Sequence, residues 1–133
     1  MFGHLQSRLF PTYFAIQGAG SAALLGLWFH AHRAVKGETV SFSFNAWVLA
    51  SMITGALANL VAVGPWTTGI MKQRHRLERL EGTSYTDPNP SPAMKKLSTK
   101  FGIAHSISAL LNLGVLAGAI IHSSWVSEFG SAL

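Results

Sequence analysis

The sequence predicts an all-α integral membrane protein with three transmembrane helices, a short interfacial segment ahead of the first and a basic loop between the second and third. Two observations predict it. Only 11% of the 133 residues are charged, with a mean hydropathy of +0.32, where soluble domains carry about 25% charge. No Asp, Glu, Lys or Arg occurs in residues 9–32, 39–71 or 101–127, and each gap exceeds the roughly 20 residues that cross a hydrocarbon core. A soluble bundle would turn a polar face of each helix to water. Residues 1–133 therefore read as one membrane domain.

Phe2, Leu5, Leu9 and Phe10 fall near helical spacing with His4, Gln6, Ser7 and Arg8 between them, which fits a short interfacial helix. This start lacks the positive residues and short apolar core of a secretory signal, so insertion would rest on the spans themselves. The first span covers 11–33, with Pro11 at a first helical position, where its missing N–H has least consequence. Lys36, Gly37 and Glu38 mark a tight connection. The second span covers 44–71, and Pro65 predicts a kink because it removes one helical hydrogen bond.

Residues 72–96 form the exposed connection. Its first part reads as a solvated helical extension, with Arg74 and Glu78 as an i,i+4 pair and Gly82 as a C-terminal stop. The run TSYTDPNPSP, residues 83–92, is a proline-rich loop, and Ser91 with Pro92 restarts a helix as N-cap and first turn. The third span covers 97–125.

Eight Lys and Arg residues lie at the N-terminus and in the 72–100 segment, against Arg33 and Lys36 at the other ends of the spans. The positive-inside rule then puts the N-terminus and the 72–96 loop on the cytoplasmic or matrix side and the C-terminus opposite. The endoplasmic reticulum and the mitochondrial inner membrane both remain open. Trp28, Trp47 and Trp125 fall at one expected boundary, Tyr13 and Trp66 at the other, where amphipathic rings prefer to sit. Topology also accounts for the net charge of +5, so the expected partner is the lipid bilayer and not nucleic acid. Lys95, Lys96 and Lys100 are placed to contact anionic lipid.

Polar side chains inside a span are costly and therefore informative. Gln17, Asn59 and His105 lie about 6–10 Å inside their nearest boundary markers at 1.5 Å per residue, so they form a candidate polar layer. Ser108 and Asn112 share a helix face with His105. These groups serve either as hydrogen-bonded packing between helices or as a polar pocket centred on His105. Gly18, Ala22 and Gly26, Gly55, and Gly114 with Gly118 provide small-residue faces for close helix contact, within the chain, with other membrane subunits or by self-association.

The chain has no cysteine, which excludes thiolate chemistry and disulfides. No nucleotide-binding, hydrolase or metalloprotease motif occurs, and Glu38, Glu78, Glu81, Asp87 and Glu128 all fall outside the spans. No enzymatic activity and no cofactor are expected. The candidates for ligating haem or a metal are His30, His32 and His122.

The block from Phe2 to Pro11 with Tyr13 and Phe14, then Asn59, Pro65, Thr67, Thr68 and Met71, and finally His105, Ser108, Asn112, Leu113 and Gly114, resembles the transmembrane protein 205-like family, which shares a membrane domain of unknown function. The resemblance implies a four-helix membrane fold whose first helix precedes the Phe2 block. This sequence begins at that block, so a fourth helix would be lost, removed or supplied by a partner. The expected role is an accessory subunit of a membrane complex. The alternatives are a transport or efflux component using the polar layer, and a haem or metal redox protein.

Overall fold

The computed structural model describes residues 2–36 and 44–129, with side chains described for 9–31 and 44–128. The connection expected at Gly37 and Glu38, and the side chains of His32, Arg33 and residues 2–8, lie outside the described residues. Helix α1 runs Phe2–Lys36, α2 Phe44–Ala58, α3 Gly64–Glu81 and α4 Pro92–Phe129. A π-helical turn, Asn59–Val63, joins α2 to α3, so the chain forms one rod from Phe44 to Glu81. No strand occurs among the described residues.

Among the described residues two helices are long and apolar enough to cross a membrane, Phe44–Glu81 and Pro92–Glu128. Helix α1 has the length, but Gln17, Ser21 and His30 dilute its apolar run. It also does not start afresh at Pro11: the helix runs through that proline, which corrects the expected break after an interfacial segment. Pro11 gives up one hydrogen bond near the helix start, and the flanking turns carry the chain across.

The predicted disturbance at Pro65 takes the form of the π turn. Pro65 has no N–H to give the carbonyl four residues back, and its ring crowds that carbonyl. The helix responds by widening, and the Gly64 N–H bonds the carbonyl of Asn59, five residues back. A Cβ at position 64 would stand 2.5 Å from that carbonyl oxygen and 3.6 Å from the Phe14 ring. Only glycine fits this turn, and α1 closes over it through buried Phe14.

The rod is the centre of the fold. Helices α1 and α4 each pack on α2, while α3 packs on α4. The core holds Trp28 of α1, Ala46, Val48, Leu49 and Met52 of α2, and Val115 of α4, with Leu25, Phe29, Ala119 and Trp125 against it. Trp28 thus turns into the bundle, whereas Trp47 is 64% exposed and Trp66 is exposed as well.

The exposed connection is shorter than 72–96. Residues 72–81 complete α3, which ends at Gly82 in the left-handed conformation with its N–H on the Glu78 carbonyl. Ser91 caps α4 by accepting the Met94 N–H at 3.1 Å. The loop between is tied down by α3: Glu78 Oε1 accepts the Tyr85 N–H at 3.0 Å, and Glu81 Oε1 accepts the Ser91 hydroxyl at 2.8 Å.

Gly64→Ala is expected to lower stability by about 1–3 kcal/mol, because the obstructing atom is a backbone oxygen that cannot swing aside. Unfolding of the detergent-solubilised variant, followed by tryptophan fluorescence, checks this; an unchanged midpoint would show that the π turn is not glycine-dependent.

Candidate functional site

Two asparagines fasten the rod to α4. Asn45 and Asn59 lie fourteen residues apart, about 21 Å along a helix and close to four whole turns, so they share a face. Asn45 is 2% exposed and its Oδ1 sits 3.1 Å from His122 Nδ1. Asn59 is fully buried, and its Nδ2 donates to the Ser108 carbonyl at 3.2 Å and to Asn112 Oδ1 at 3.4 Å. Between them Gly118 admits Met52, and Gly55 meets Val115 and the Leu111 carbonyl. The antiparallel register of α2 on α4 is therefore set at both ends by polar pairs and in the middle by glycines.

The expected polar layer is brought together in part. Asn59, Ser108 and Asn112 form one hydrogen-bonded group. Gln17 is not bonded to it: its Nε2 lies 3.4 Å from the Tyr13 hydroxyl on its own helix, and its buried Oε1 has no partner. His105 lies a turn away along α4, exposed, with its ring stacked on Phe101 at 5.8 Å between centroids. These positions correct the single shared layer. Equal depth along separate helices does not fix the direction in which each side chain points.

The small-residue faces divide in the same way. Gly18 contacts Ala56, and Gly55 and Gly118 stand at the α2–α4 contact. Gly26 and Gly114 meet nothing within 4 Å, and Ala22 is exposed, so these three do not serve contacts within the bundle. Lys95, Lys96 and Lys100 are all exposed on the first turns of α4. Of the histidines proposed as ligands, His30 is exposed while His122 is buried and held by Asn45; among the described residues no group of three or more potential ligands gathers.

A cavity of about 430 Å³ opens between α1, α3 and α4 on the other side of the asparagine pair, within the size range of small-molecule sites. It runs along α4 from Phe101 to Asn112, about 16 Å at helical rise. Phe10, Phe14 and Met71 form apolar wall, and His105, Ser108 and Asn112 line the α4 side. At its mouth stands Arg74, whose guanidinium lies 3.9 Å from the Tyr85 ring centroid and 4.5 Å from that of Phe101.

Arg74 was expected to pair with Glu78. Instead Glu78 holds the loop backbone at Tyr85, and the loop lays the Tyr85 ring over Arg74. Arg74 and Tyr85 are the site residues that sequence reasoning misses. The i,i+4 spacing to Glu78 reads as a surface ion pair, and nothing local brings a tyrosine from a proline-rich loop back over the helix before it. Asn45 likewise gives no signal beyond being a lone polar residue at a span's edge.

A model of a domain of unknown function (DUF4149) matches residues 1–76, which cover α1, α2, the π turn and most of α3. No curated protein and no solved structure shows a significant match to the chain.

In a double-mutant cycle of Asn59→Leu and Asn112→Leu, a coupling energy of about 0.6 kcal/mol is expected, as for hydrogen bonds between membrane helices. Strict additivity of the two variants' unfolding free energies would show that the amide pair is contact without coupling.

Proposed function

This chain belongs to the family defined by the domain of unknown function DUF4149, and from that membership we propose that it is a three-span membrane protein of the transmembrane protein 205-like kind, acting as an accessory subunit that docks a transmembrane helix of another chain. The third span is α1, a 35-residue helix with no charge between residues 9 and 32.

The observation that carries the accessory reading is a groove between α1 and α4. The two helices flank α2 without packing closely on each other. The space between them, about 600 Å³, has Met52 as floor and Tyr13, Ile16, Leu113 and Leu116 on its walls. Its surface is mainly apolar, with Tyr13, Ser21, Asn112 and Gln17 as its polar residues, and the buried Oε1 of Gln17 lacks a donor. A helix carrying one hydrogen-bond donor matches that combination, since polar side chains bond across membrane helices where small and apolar residues allow close approach. Helix α4 leaves its apolar stretch largely uncovered, with only 17% of it buried. The internal polar group supports the same reading, because Asn59 spends its donor on the Ser108 carbonyl and the Asn112 side chain across the helices.

A photo-crosslinking residue at Leu113, in the groove, is expected to capture one stoichiometric partner chain, whereas one at Leu57, outside it, is not. Capture of lipid alone, or equal capture from both positions, would overturn the accessory role. Capture of a second copy would favour the transport reading, which rests on the cavity beside His105 and requires His105→Ala to abolish solute movement at unchanged protein level.

Because the chain has no cysteine, single cysteines report topology directly. With three spans, Ser7→Cys and Thr86→Cys react with a membrane-impermeant maleimide from the same side and Ser124→Cys from the opposite side. Reaction of Ser7→Cys together with Ser124→Cys would mean that α1 does not cross.

A further inference from the structure

Arg74 is 9% exposed, and its Nε is buried with no hydrogen-bond partner. Its contacts are the faces of Tyr85 and Phe101, which attract the cation through their π-systems but accept none of the five in-plane N–H donors of a guanidinium. Arg74 lines the cavity together with both rings, so donors that the rings do not engage have the cavity as the space where an acceptor could reach them. The acidic groups nearest in the chain are already engaged: Glu78 bonds the Tyr85 amide and Glu81 the Ser91 hydroxyl. Among the described residues no carboxylate lines the cavity, whose other titratable groups are His75, Tyr85 and His105. A buried cation without an acceptor is strongly unfavourable, so the arrangement is incomplete without an anion.

We propose that this cavity binds a phosphate group carried on an apolar body, with the phosphate on the free edge of Arg74 and the apolar part lying against Phe10, Phe14 and Met71 toward Asn112. A planar guanidinium fixed by two rings presents a preorganised fork, the geometry that phosphate oxygens accept in bidentate fashion. The hydroxyls of Thr67, Thr68 and Ser108 line the same space and add donors beside it. Arg74 lines this cavity and not the α1–α4 groove, which meets the cavity at Ala109 and Asn112, and exposed Lys95, Lys96 and Lys100 line neither. A membrane phospholipid and a free phosphorylated molecule share the recognised chemistry.

The test uses the full chain extracted in dodecyl maltoside, with unfolding followed by the fluorescence of its four tryptophans. The need for detergent is scored first, so failure of the membrane assignment appears before any ligand is added. Dioleoyl phosphatidate is expected to raise the melting midpoint where dioleoyl phosphatidylcholine does not; a rise with inorganic phosphate instead assigns the site to a free phosphate. Arg74→Met keeps the packing between the two rings, melts no lower than wild type without ligand, and binds the effective probe at least about tenfold more weakly. Arg74→Lys, which keeps the charge and loses the fork, gives an intermediate affinity and serves the comparison if Arg74→Met does not survive extraction. The combined Lys95→Gln, Lys96→Gln and Lys100→Gln variant retains the shift. No shift with either phosphate probe, or a shift that Arg74→Met retains in full, overturns the proposal.

Discussion

The amide of Asn59 is the contact on which the arrangement of the helices turns. It lies at the point where Pro65 forces the rod out of α-helical hydrogen bonding. Its carbonyl accepts the Gly64 N–H across the π turn, while its side chain donates to α4. One residue thus links a local backbone adjustment to a tertiary contact. The Ser108 carbonyl it meets is an in-helix acceptor with a lone pair to spare, so the bond adds to α4 without breaking its ladder. π turns recur at functional positions, and Gly64 of this one lines the Arg74 cavity.

Polar groups in this chain follow two different economies. Asn59 with Asn112, and Asn45 with His122, are hydrogen-bonded across the bundle, and what they provide is register: an apolar helix can slide or rotate against its neighbour with little change in energy, whereas a displaced amide loses its partner. Gln17 and Arg74 are left unresolved at atoms that face hollow space. Unsatisfied buried polar atoms are uncommon in folded proteins; Gln17 Oε1 and Arg74 Nε sit where an outside helix and an anion, respectively, would complete them, while Asn45 Nδ2 and Asn59 Oδ1 stay unpartnered within the bundle.

Much of this architecture was legible in the linear chain. The charge-free stretches placed the helices, Gly82 and Ser91 marked helix ends that the structure confirms in backbone and side-chain geometry, and depth counting drew in Asn59 with Gln17 and His105, while helix periodicity put Ser108 and Asn112 on one face with His105. The misses share one cause. Periodicity along a helix gives the face of a residue relative to its own helix, and carries no information on which neighbour that face meets. Gly26 and Gly114 followed the same spacing as Gly18 and Gly118 yet point outward, and the depth that placed Trp28 at a boundary did not give the direction that puts it in the core.

By itself, then, the sequence determined an all-helical chain with apolar helices of membrane-spanning length, a disturbance at Pro65 and the helix boundaries around the proline-rich loop, because each follows from local hydrogen bonding, backbone sterics or hydropathy. Only the tertiary structure decided that the disturbance is a π turn sealed by Phe14, that Asn45 and Asn59 lock α2 to α4, and that Tyr85 folds back to clamp Arg74 at the mouth of a cavity. Those outcomes depend on the rotation of one helix about another and on a loop's return path. Both are set by contacts between residues up to 77 positions apart, such as Asn45 with His122, which no local pattern encodes.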